Sequence, residues 1–180
     1  MKSPPQPTSF LPRRARLAAS AVVLGLLAAC ANMSQTPPGS PLSVVEAKWG
    51  KPGFSCPGPN GTQRVIWSQQ PLGQYAWGAN VNASGNIDRI EPLLTDRHFE
   101  KLRTGTWTRD QVRCEFGPPA DISTVGLPSN TQLVWSYRYL QSGVWNSLMY
   151  VYFGTDGERV TSFHPGPDPM YEQNDNSWFN

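Results

Sequence analysis

The sequence predicts an α+β fold made of two tandem repeats. In each repeat, one or two short helices precede a three-stranded antiparallel meander and pack on one face of its sheet. The first observation is a repeated segment, because residues 45–52 and 112–119 share Val, an aromatic residue, Gly and Pro at positions 67 apart. The second is a pair of tryptophans after each segment, 68 positions apart: Trp67 and Trp77, then Trp135 and Trp145. We interpret the chain as an internal duplication.

The first repeat is assigned to residues 41–94. Val45 and Trp49 lie one helical turn apart, and Gly50 followed by a nearby proline is typical of a helix end. Residues 54–61 are rich in Pro and Gly, so they are predicted to form a loop. Alternating apolar residues then predict three strands, at residues 64–69, 75–81 and 87–91.

The second repeat is assigned to residues 95–163. Its leading helix is predicted at residues 95–103, and a second helix begins after Thr108, which has Gln111 at the capping-box position. A Gly-Pro-Pro sequence ends that helix, and residues 121–130 are predicted to form a loop. Three strands follow, at residues 133–140, 144–153 and 159–163.

The N-terminal segment has the pattern of an export signal. Three arginines precede an apolar run, Leu17–Ala29, which is too short to be a membrane-spanning anchor. The run ends in Leu-Ala-Ala-Cys30, which resembles the lipobox of bacterial lipoproteins. The resemblance implies a signal peptide at residues 1–29, lipidation of Cys30 and attachment to a membrane through acyl chains. Ala31, where an inner-membrane lipoprotein would carry Asp, implies the outer membrane and a periplasm-facing chain. An ordinary secretory signal is the alternative.

The segments on either side of the repeats are predicted to lie outside the fold. Residues 30–40 contain the predicted lipidated cysteine and a Pro-rich flexible tether. Residues 164–180 have three prolines and no apolar periodicity, so they are predicted to form a disordered acidic tail.

The positive charge of the chain belongs to its predicted signal. Four of the 15 Lys and Arg residues lie within residues 1–29, which contain no acid, so 11 bases and 13 acids remain. A mature chain with this balance has no basic surplus, and no nucleic-acid partner is expected.

Two cysteines remain after the predicted lipidation site. An oxidising periplasm permits a disulfide between Cys56 and Cys114, which would connect the two repeats and contribute roughly 3–4 kcal/mol by restricting the unfolded chain. The alternative is two free thiols, because the sequence does not show whether the two Cβ atoms approach each other.

The second repeat carries the residues of a family resemblance. Gly105, the Thr108 cap, Val112 and the segment Phe-Gly-Pro-Pro at 116–119 precede a strand that contains Trp135. This pattern resembles the SmpA/OmlA (BamE-like) outer-membrane lipoprotein domain. A tandem pair of such units also resembles the β-lactamase-inhibitor-protein fold. The first resemblance implies an envelope assembly protein with a protein partner, and the second implies an inhibitor.

No residue pattern predicts catalysis, a metal or a cofactor. The two histidines, His98 and His164, lie in no metal-ligand spacing, and no nucleophile elbow or phosphate loop is present. We therefore expect a protein that is not an enzyme and has no cofactor.

Aromatic and basic residues of the second repeat form the candidate binding surface. Trp135, Tyr137 and Tyr139 would share one face of one strand. Tyr150 and Tyr152 would share a face of the neighbouring strand. These five residues either fill the core under the helices or form an exposed platform, and tyrosine and tryptophan are enriched in binding hot spots. A basic zone around the helices contains Arg97, Lys101, Arg103, Arg109 and Arg113. It is expected either to contact anionic lipid headgroups or peptidoglycan, or to be a solvated face paired with nearby acids.

Two functions are compatible with this surface. The first is a non-enzymatic binding or assembly module of the cell envelope with an unidentified envelope protein as partner. The alternative is a periplasmic inhibitor of a hydrolase that uses the exposed sheet face.

Overall fold

The structure, a computed structural model, describes residues 32–172. The predicted signal peptide at residues 1–29 and Cys30 lie outside the described residues, as do residues 173–180 of the predicted tail. Residues 33–172 belong to one compact unit.

Four short α-helices are present in the described part of the chain, and the two longest occupy matching positions in the two repeats. They are α1 (Leu42–Trp49), α2 (Asp96–Phe99, continued by a 3₁₀ turn at Glu100–Arg103), α3 (Arg109–Phe116) and α4 (Pro169–Glu172). The predicted capping box at α3 is formed, because Thr108 and Gln111 each accept a hydrogen bond from the other's backbone N–H. Thr95 caps α2 by accepting from the His98 N–H.

Each repeat contains a four-stranded antiparallel sheet with its strands in sequence order. The first sheet contains β1 (Phe54–Pro57), β2 (Gln63–Ser68), β3 (Ala76–Val81) and β4 (Glu91–Pro92). The second contains β5 (Asp121–Val125), β6 (Gln132–Gln141), β7 (Trp145–Phe153) and β8 (Val160–Pro167). The α+β class is therefore confirmed, whereas the three-stranded meander is wrong by one strand in each repeat.

The additional strands are β1 and β5, which lie in the two segments predicted to be loops. Both run along a sheet edge and pair with one neighbour only. An edge strand can contain proline, since an N–H that faces away from the sheet is not needed for pairing. Pro57 at the end of β1 is compatible with this edge position. The Pro and Gly content of the segment explains why a loop was predicted there.

The strand register changes the correspondence between the repeats. Trp67 lies opposite Trp77, but Tyr137 lies opposite Met149. Phe54 of β1 pairs with Ile66 of β2, and Asp121 of β5 pairs with Ser136 of β6. The offset between the repeats is therefore 67 positions in the edge strands but 70 positions in β2 and β6. By register, Trp67 therefore corresponds to Tyr137 and Trp77 to Met149. The predicted equivalence of Trp77 with Trp145 is wrong, since Trp145 lies at the start of β7 and is 69% exposed.

The helices and sheets alternate in layers. One core cluster packs α1 residues such as Val45 against one face of the first sheet, which contributes Val65 and Trp67. A second cluster packs Phe99 of α2 and Phe116 of α3 against both sheets. It includes residues of β2, β3, β6 and β7: Ile66, Ala76, Trp135, Tyr137, Tyr139, Met149, Val151 and Phe153. Helices thus cover both faces of the first sheet and one face of the second.

Ordered structure extends beyond both predicted repeat boundaries. Met33 begins a 3₁₀ turn and is buried in the α1 cluster, and the Gly39 N–H donates to the Ile87 carbonyl. The prediction of a flexible tether is thus wrong from Met33 to Ser40. At the other end, β8 continues to Pro167 and α4 follows, so the predicted disorder is wrong for residues 164–172. No helix among the described residues has the length and apolar character needed to cross a membrane.

Candidate binding surface

The aromatic stripe of β6 lies in the core. Trp135 is 6% exposed, and Tyr137 and Tyr139 are fully buried beneath α2 and α3. Tyr137 Oη donates to the Gly117 carbonyl at 3.2 Å, and Tyr139 Oη donates to Asp96 Oδ1 at 2.9 Å. Burial raises the pKa of both phenols, and for Tyr139 the contact with Asp96 adds to this rise. These three residues cannot contact a partner, so their inclusion in the binding surface is wrong.

Tyr150 and Tyr152 lie on the opposite face of the second sheet. Because side chains alternate along a strand, the burial of Met149, Val151 and Phe153 under the helices turns the two tyrosines away from them. We call this second face the open face, since neither core cluster includes its residues. By register it contains Arg138, the half-buried Tyr150 and Tyr152, and the exposed Ser162 and His164, together with Val134, Ser136 and Leu148, which are buried.

Three rings form the centre of the open face. His164 stacks on Tyr152 with ring centroids 5.2 Å apart, and its Nε2 lies 3.0 Å from Tyr152 Oη. The His164 and Tyr150 ring centroids are 5.7 Å apart. A Cβ atom at Gly166 would lie 2.9 Å from Tyr150 Cε2, so glycine leaves room for that ring. Burial, together with Tyr152 and Asp168, raises the pKa of Tyr150. The tyrosines are half-buried and held in place by their neighbours.

An ion pair closes one end of the open face. The Arg138 guanidinium donates to both carboxylate oxygens of Asp168, which is 1% exposed, and also donates to the Pro71 carbonyl. The hydrogen bond with Asp168 raises the pKa of Arg138. The Gln70 side chain donates to the Arg138 carbonyl at 2.7 Å and accepts from its N–H at 3.2 Å. The first repeat therefore fixes this end of β6.

The predicted basic zone consists mostly of paired side chains. Lys101 Nζ lies 2.5 Å from Glu115 Oε1, and Arg103 pairs with Glu100. Arg109 pairs with Glu158, and Arg113 lies over the Phe54 ring. Arg97 is exposed on α2, and no residue in the range 32–172 pairs with it. Arg97 and Lys101 lie apart from the open face, so the aromatic and basic candidates do not form one surface.

The two remaining cysteines form a disulfide. Cys56 of β1 is bonded to Cys114 of α3, with Cα atoms 5.9 Å apart. The sequence allowed either a disulfide or two free thiols, and the structure has the disulfide, which connects the two repeats. Cys114 is therefore not available as a nucleophile.

A polar cluster between the first sheet and the helices was not predicted. Ligand atoms of Glu91, His98 and Glu115 all lie within 4.8 Å of one another. Burial by itself would raise the pKa of Glu115, but contacts with His98 and Lys101 outweigh it and lower that pKa to about 2. The three residues come from β4, α2 and α3, and no spacing rule connects them. The sequence contains one signal for an inward position of His98, because Leu94 and Leu102 lie one helical turn before and after it.

Comparison with known proteins adds little to this geometry. No protein-family model matches the chain, and no curated protein matches it. The chain is similar to a solved structure of a DUF4309 family protein (YjgB) from Bacillus subtilis subsp. subtilis str. 168. The two have 18% sequence identity and a TM-score of 0.28, over 72% of this chain and 83% of that chain. A likeness of this degree carries no argument, and the SmpA/OmlA resemblance stays a prediction.

Proposed function

We propose that the protein is an outer-membrane lipoprotein that faces the periplasm and acts as a non-enzymatic, BamE-like binding or assembly module. The observation that carries the binding role is the open face, where Tyr150 and Tyr152 lie on a sheet surface outside both core clusters. In this proposal Cys30 holds the module at the membrane and the open face receives an envelope protein.

The chemistry of the open face suits a protein partner. A tyrosine ring offers a large apolar area and a hydroxyl that can hydrogen-bond, which is why tyrosine is frequent in hot spots. The rings of Tyr150 and Tyr152 are already held by His164 and Gly166. Binding would therefore immobilise few additional rotamers, and the entropic cost of association is reduced.

The anchor is tested by labelling cells with palmitate. Wild-type protein is expected to incorporate label and to co-fractionate with outer membranes, because acyl chains on Cys30 supply the attachment. Cys30→Ser is expected to lose the label and to leave the membrane fraction. Cys56→Ser serves as a control that keeps the label, and equal labelling of wild type and Cys30→Ser would contradict the anchor.

The partner is tested by chemical crosslinking in intact cells followed by affinity purification. Wild type is expected to retain an envelope protein that Tyr150→Ser/Tyr152→Ser does not retain. The matched control is Val44→Ser, which changes an exposed residue of α1. Recovery of no envelope protein above background, or equal recovery by all three chains, would count against the proposal.

A second candidate function, inhibition of a periplasmic hydrolase, is favoured by the same tyrosines. Inhibitors of the resembled fold act through a sheet face, and the open face is such a surface. Purified protein would then inhibit at least one member of a panel of envelope hydrolases and β-lactamases at micromolar concentration, and Tyr152→Ala would weaken that inhibition. Absence of inhibition across the panel would remove this candidate.

A further inference from the structure

We propose that Glu91, His98 and Glu115 form a binding site for a divalent transition-metal ion, for which Zn²⁺ is the probe. This inference is independent of the binding role assigned to the open face. It rests on the geometry of three side chains that the fold brings together beneath the first sheet.

Each ligand comes from a different element. Glu91 lies on β4, His98 on α2 and Glu115 on α3. Their ligand atoms are all within 4.8 Å of one another. In a tetrahedral zinc site with bonds of roughly 2.0–2.1 Å, neighbouring ligand atoms lie about 3.3 Å apart. The three side chains therefore need only small rotations to share one ion.

The imidazole of His98 points into this cluster, and its Nε2 faces the carboxylate of Glu115. His98 is 7% exposed, and its Nε2 lies 2.8 Å from Glu115 Oε1. That nitrogen nevertheless makes no hydrogen bond of acceptable geometry. A buried nitrogen that faces a carboxylate oxygen without a well-directed N–H is in an unfavourable position, since buried polar atoms are normally satisfied. A cation bound between the two atoms would satisfy both.

Two basic side chains next to the cluster differ in their exposure to solvent. Arg64 Nη2 lies 3.0 Å from Glu91 Oε1, and the arginine side chain is only 7% exposed, so it can remain and orient that carboxylate. Gly78 provides the space, because a Cβ atom there would lie 2.8 Å from Arg64 Nη2. The Lys101 side chain is 45% exposed and can move into solvent when a metal replaces it at Glu115. Lys101 thus competes with the ion.

The cluster is not a requirement of the repeated fold. Helix α1 corresponds to α3 at a spacing of 67 positions, and the position of Glu115 is occupied there by Lys48. A helix of this kind therefore packs on its sheet without the carboxylate. The acid is a property of the second copy alone.

The ligand types restrict the metal. One imidazole and two carboxylates suit Zn²⁺ and its first-row neighbours, whereas Ca²⁺ and Mg²⁺ prefer oxygen ligands alone. The Glu91 side chain is 39% exposed, so the ion can enter from that side and retain a water molecule.

Metal binding is measured on the full chain in detergent micelles, with Cys30→Ser as the background to exclude a free thiol ligand. After treatment with a chelator and dialysis, isothermal titration with Zn²⁺ is expected to give one site per chain. His98→Gln is expected to weaken that site by at least about tenfold, because the loss of an outer-shell partner alone typically costs about 10–100-fold in affinity and His98 would be a direct ligand. The matched control is His164→Gln, which changes the exposed histidine and keeps the affinity.

A second variant acts in the opposite direction and leaves the core unchanged. Lys101→Met removes the competing ammonium group from an exposed position, so Zn²⁺ binding is expected to tighten by about tenfold. This result distinguishes a metal site from a loss of folding in His98→Gln, whose near-ultraviolet circular dichroism is compared with wild type. Absence of a site in the Cys30→Ser background, or a site unaffected by His98→Gln and Lys101→Met, would overturn the proposal.

Discussion

The glycine that ends each of the two main helices receives a hydrogen bond from an aromatic side chain. Trp67 Nε1 donates to the Gly50 carbonyl at 2.8 Å, and Tyr137 Oη donates to the Gly117 carbonyl at 3.2 Å. A tryptophan in one repeat and a tyrosine in the other, at matching positions of the two sheets, therefore satisfy the equivalent carbonyl at the end of each helix, which has no partner within the helix. This shared role supports the correspondence of Trp67 with Tyr137 and explains why a buried tyrosine hydroxyl is tolerated in the core.

Removing the Tyr137 hydroxyl tests this role. Tyr137→Phe is expected to lower the free energy of unfolding by about 1 kcal/mol, because it leaves the buried Gly117 carbonyl without this donor. Urea unfolding measures the change. Tyr152→Phe, which removes a hydroxyl from the open face, is expected to change stability much less. Equal losses of unfolding free energy in the two variants would show that the hydrogen bond to Gly117 contributes no more to stability than the hydroxyl of Tyr152.

Glu115 gives the fold an acid-sensitive contribution. Its pKa is lowered to about 2 in the folded chain, compared with an ordinary value of 4.5. The stabilisation by the ionised carboxylate is therefore complete above pH 4.5 and is lost as the pH falls towards 2. With EDTA present, Glu115→Gln is expected to be less stable than wild type at pH 6, and the difference should narrow between pH 4.5 and pH 2. A constant difference in urea unfolding across that range would contradict this assignment.

Helices α1 and α3 end in the same backbone conformation. Gly50 has φ 84° and ψ 170°, and Gly117 has φ 87° and ψ −173°. Both glycines combine a positive φ with an extended ψ, a region that is essentially restricted to glycine. The two positions differ in their surroundings. A Cβ atom at Gly117 would lie 3.1 Å from Ile66 Cγ2, but a Cβ atom at Gly50 would meet no atom within 4 Å.

This difference separates backbone strain from packing. Gly50→Ala is expected to destabilise the protein by about 1–2 kcal/mol through strain alone. Gly117→Ala is expected to cost about 1 kcal/mol more, since the methyl group also presses on Ile66 in the first sheet. The two free energies of unfolding are compared by urea titration. If Gly50→Ala proved as costly as Gly117→Ala, the contact between α3 and the first sheet would not be tight.

Local rules predicted the helices better than the strands. The capping box at Thr108 and the Gly-Pro stops depend on neighbouring residues, so they can be read from the sequence. Strands β1 and β5 depend on pairing with distant partners, which their Pro-containing or polar composition does not indicate. The spacing of the tryptophans gave a wrong register because turn lengths, rather than residue identity, fix which residues face each other.

The candidate site shows the same division. Alternation predicted that Tyr150 and Tyr152 share one face, but only the tertiary arrangement decides which face the helices cover. It placed Trp135, Tyr137 and Tyr139 in the core. The cluster of Glu91, His98 and Glu115 could not be predicted, because its residues come from three elements that meet only through packing.

At the scale of the whole molecule, the second repeat's helices and one disulfide connect the two repeats. Phe99 of α2 and Phe116 of α3 pack between the sheets. Cys114, which is also on α3, is bonded to Cys56 of β1. The repeats therefore share one core. A single repeat without the helices that pack between the two sheets would bury little apolar area, as is usual for units of about 60 residues.

The disulfide is expected to contribute about 3–4 kcal/mol, because the bridge closes a loop of 58 residues in the unfolded chain. Cys56→Ser/Cys114→Ser should lower the free energy of unfolding by this amount under oxidising conditions, as measured by guanidinium titration. Cys30→Ser is the matched control and should leave stability unchanged. A double variant as stable as wild type would mean that the core alone holds the repeats together.

Site-specific photocrosslinking in intact cells tests the proposed binding role most directly. A photoreactive phenylalanine analogue replaces Tyr152 on the open face or, in the control chain, Val44 on the exposed side of α1. We expect a discrete adduct with one envelope protein from position 152, its loss when Tyr150→Ser is added, and no adduct from position 44. No adduct from position 152, or the same adducts from both positions, would contradict the claim that the open face is the binding surface.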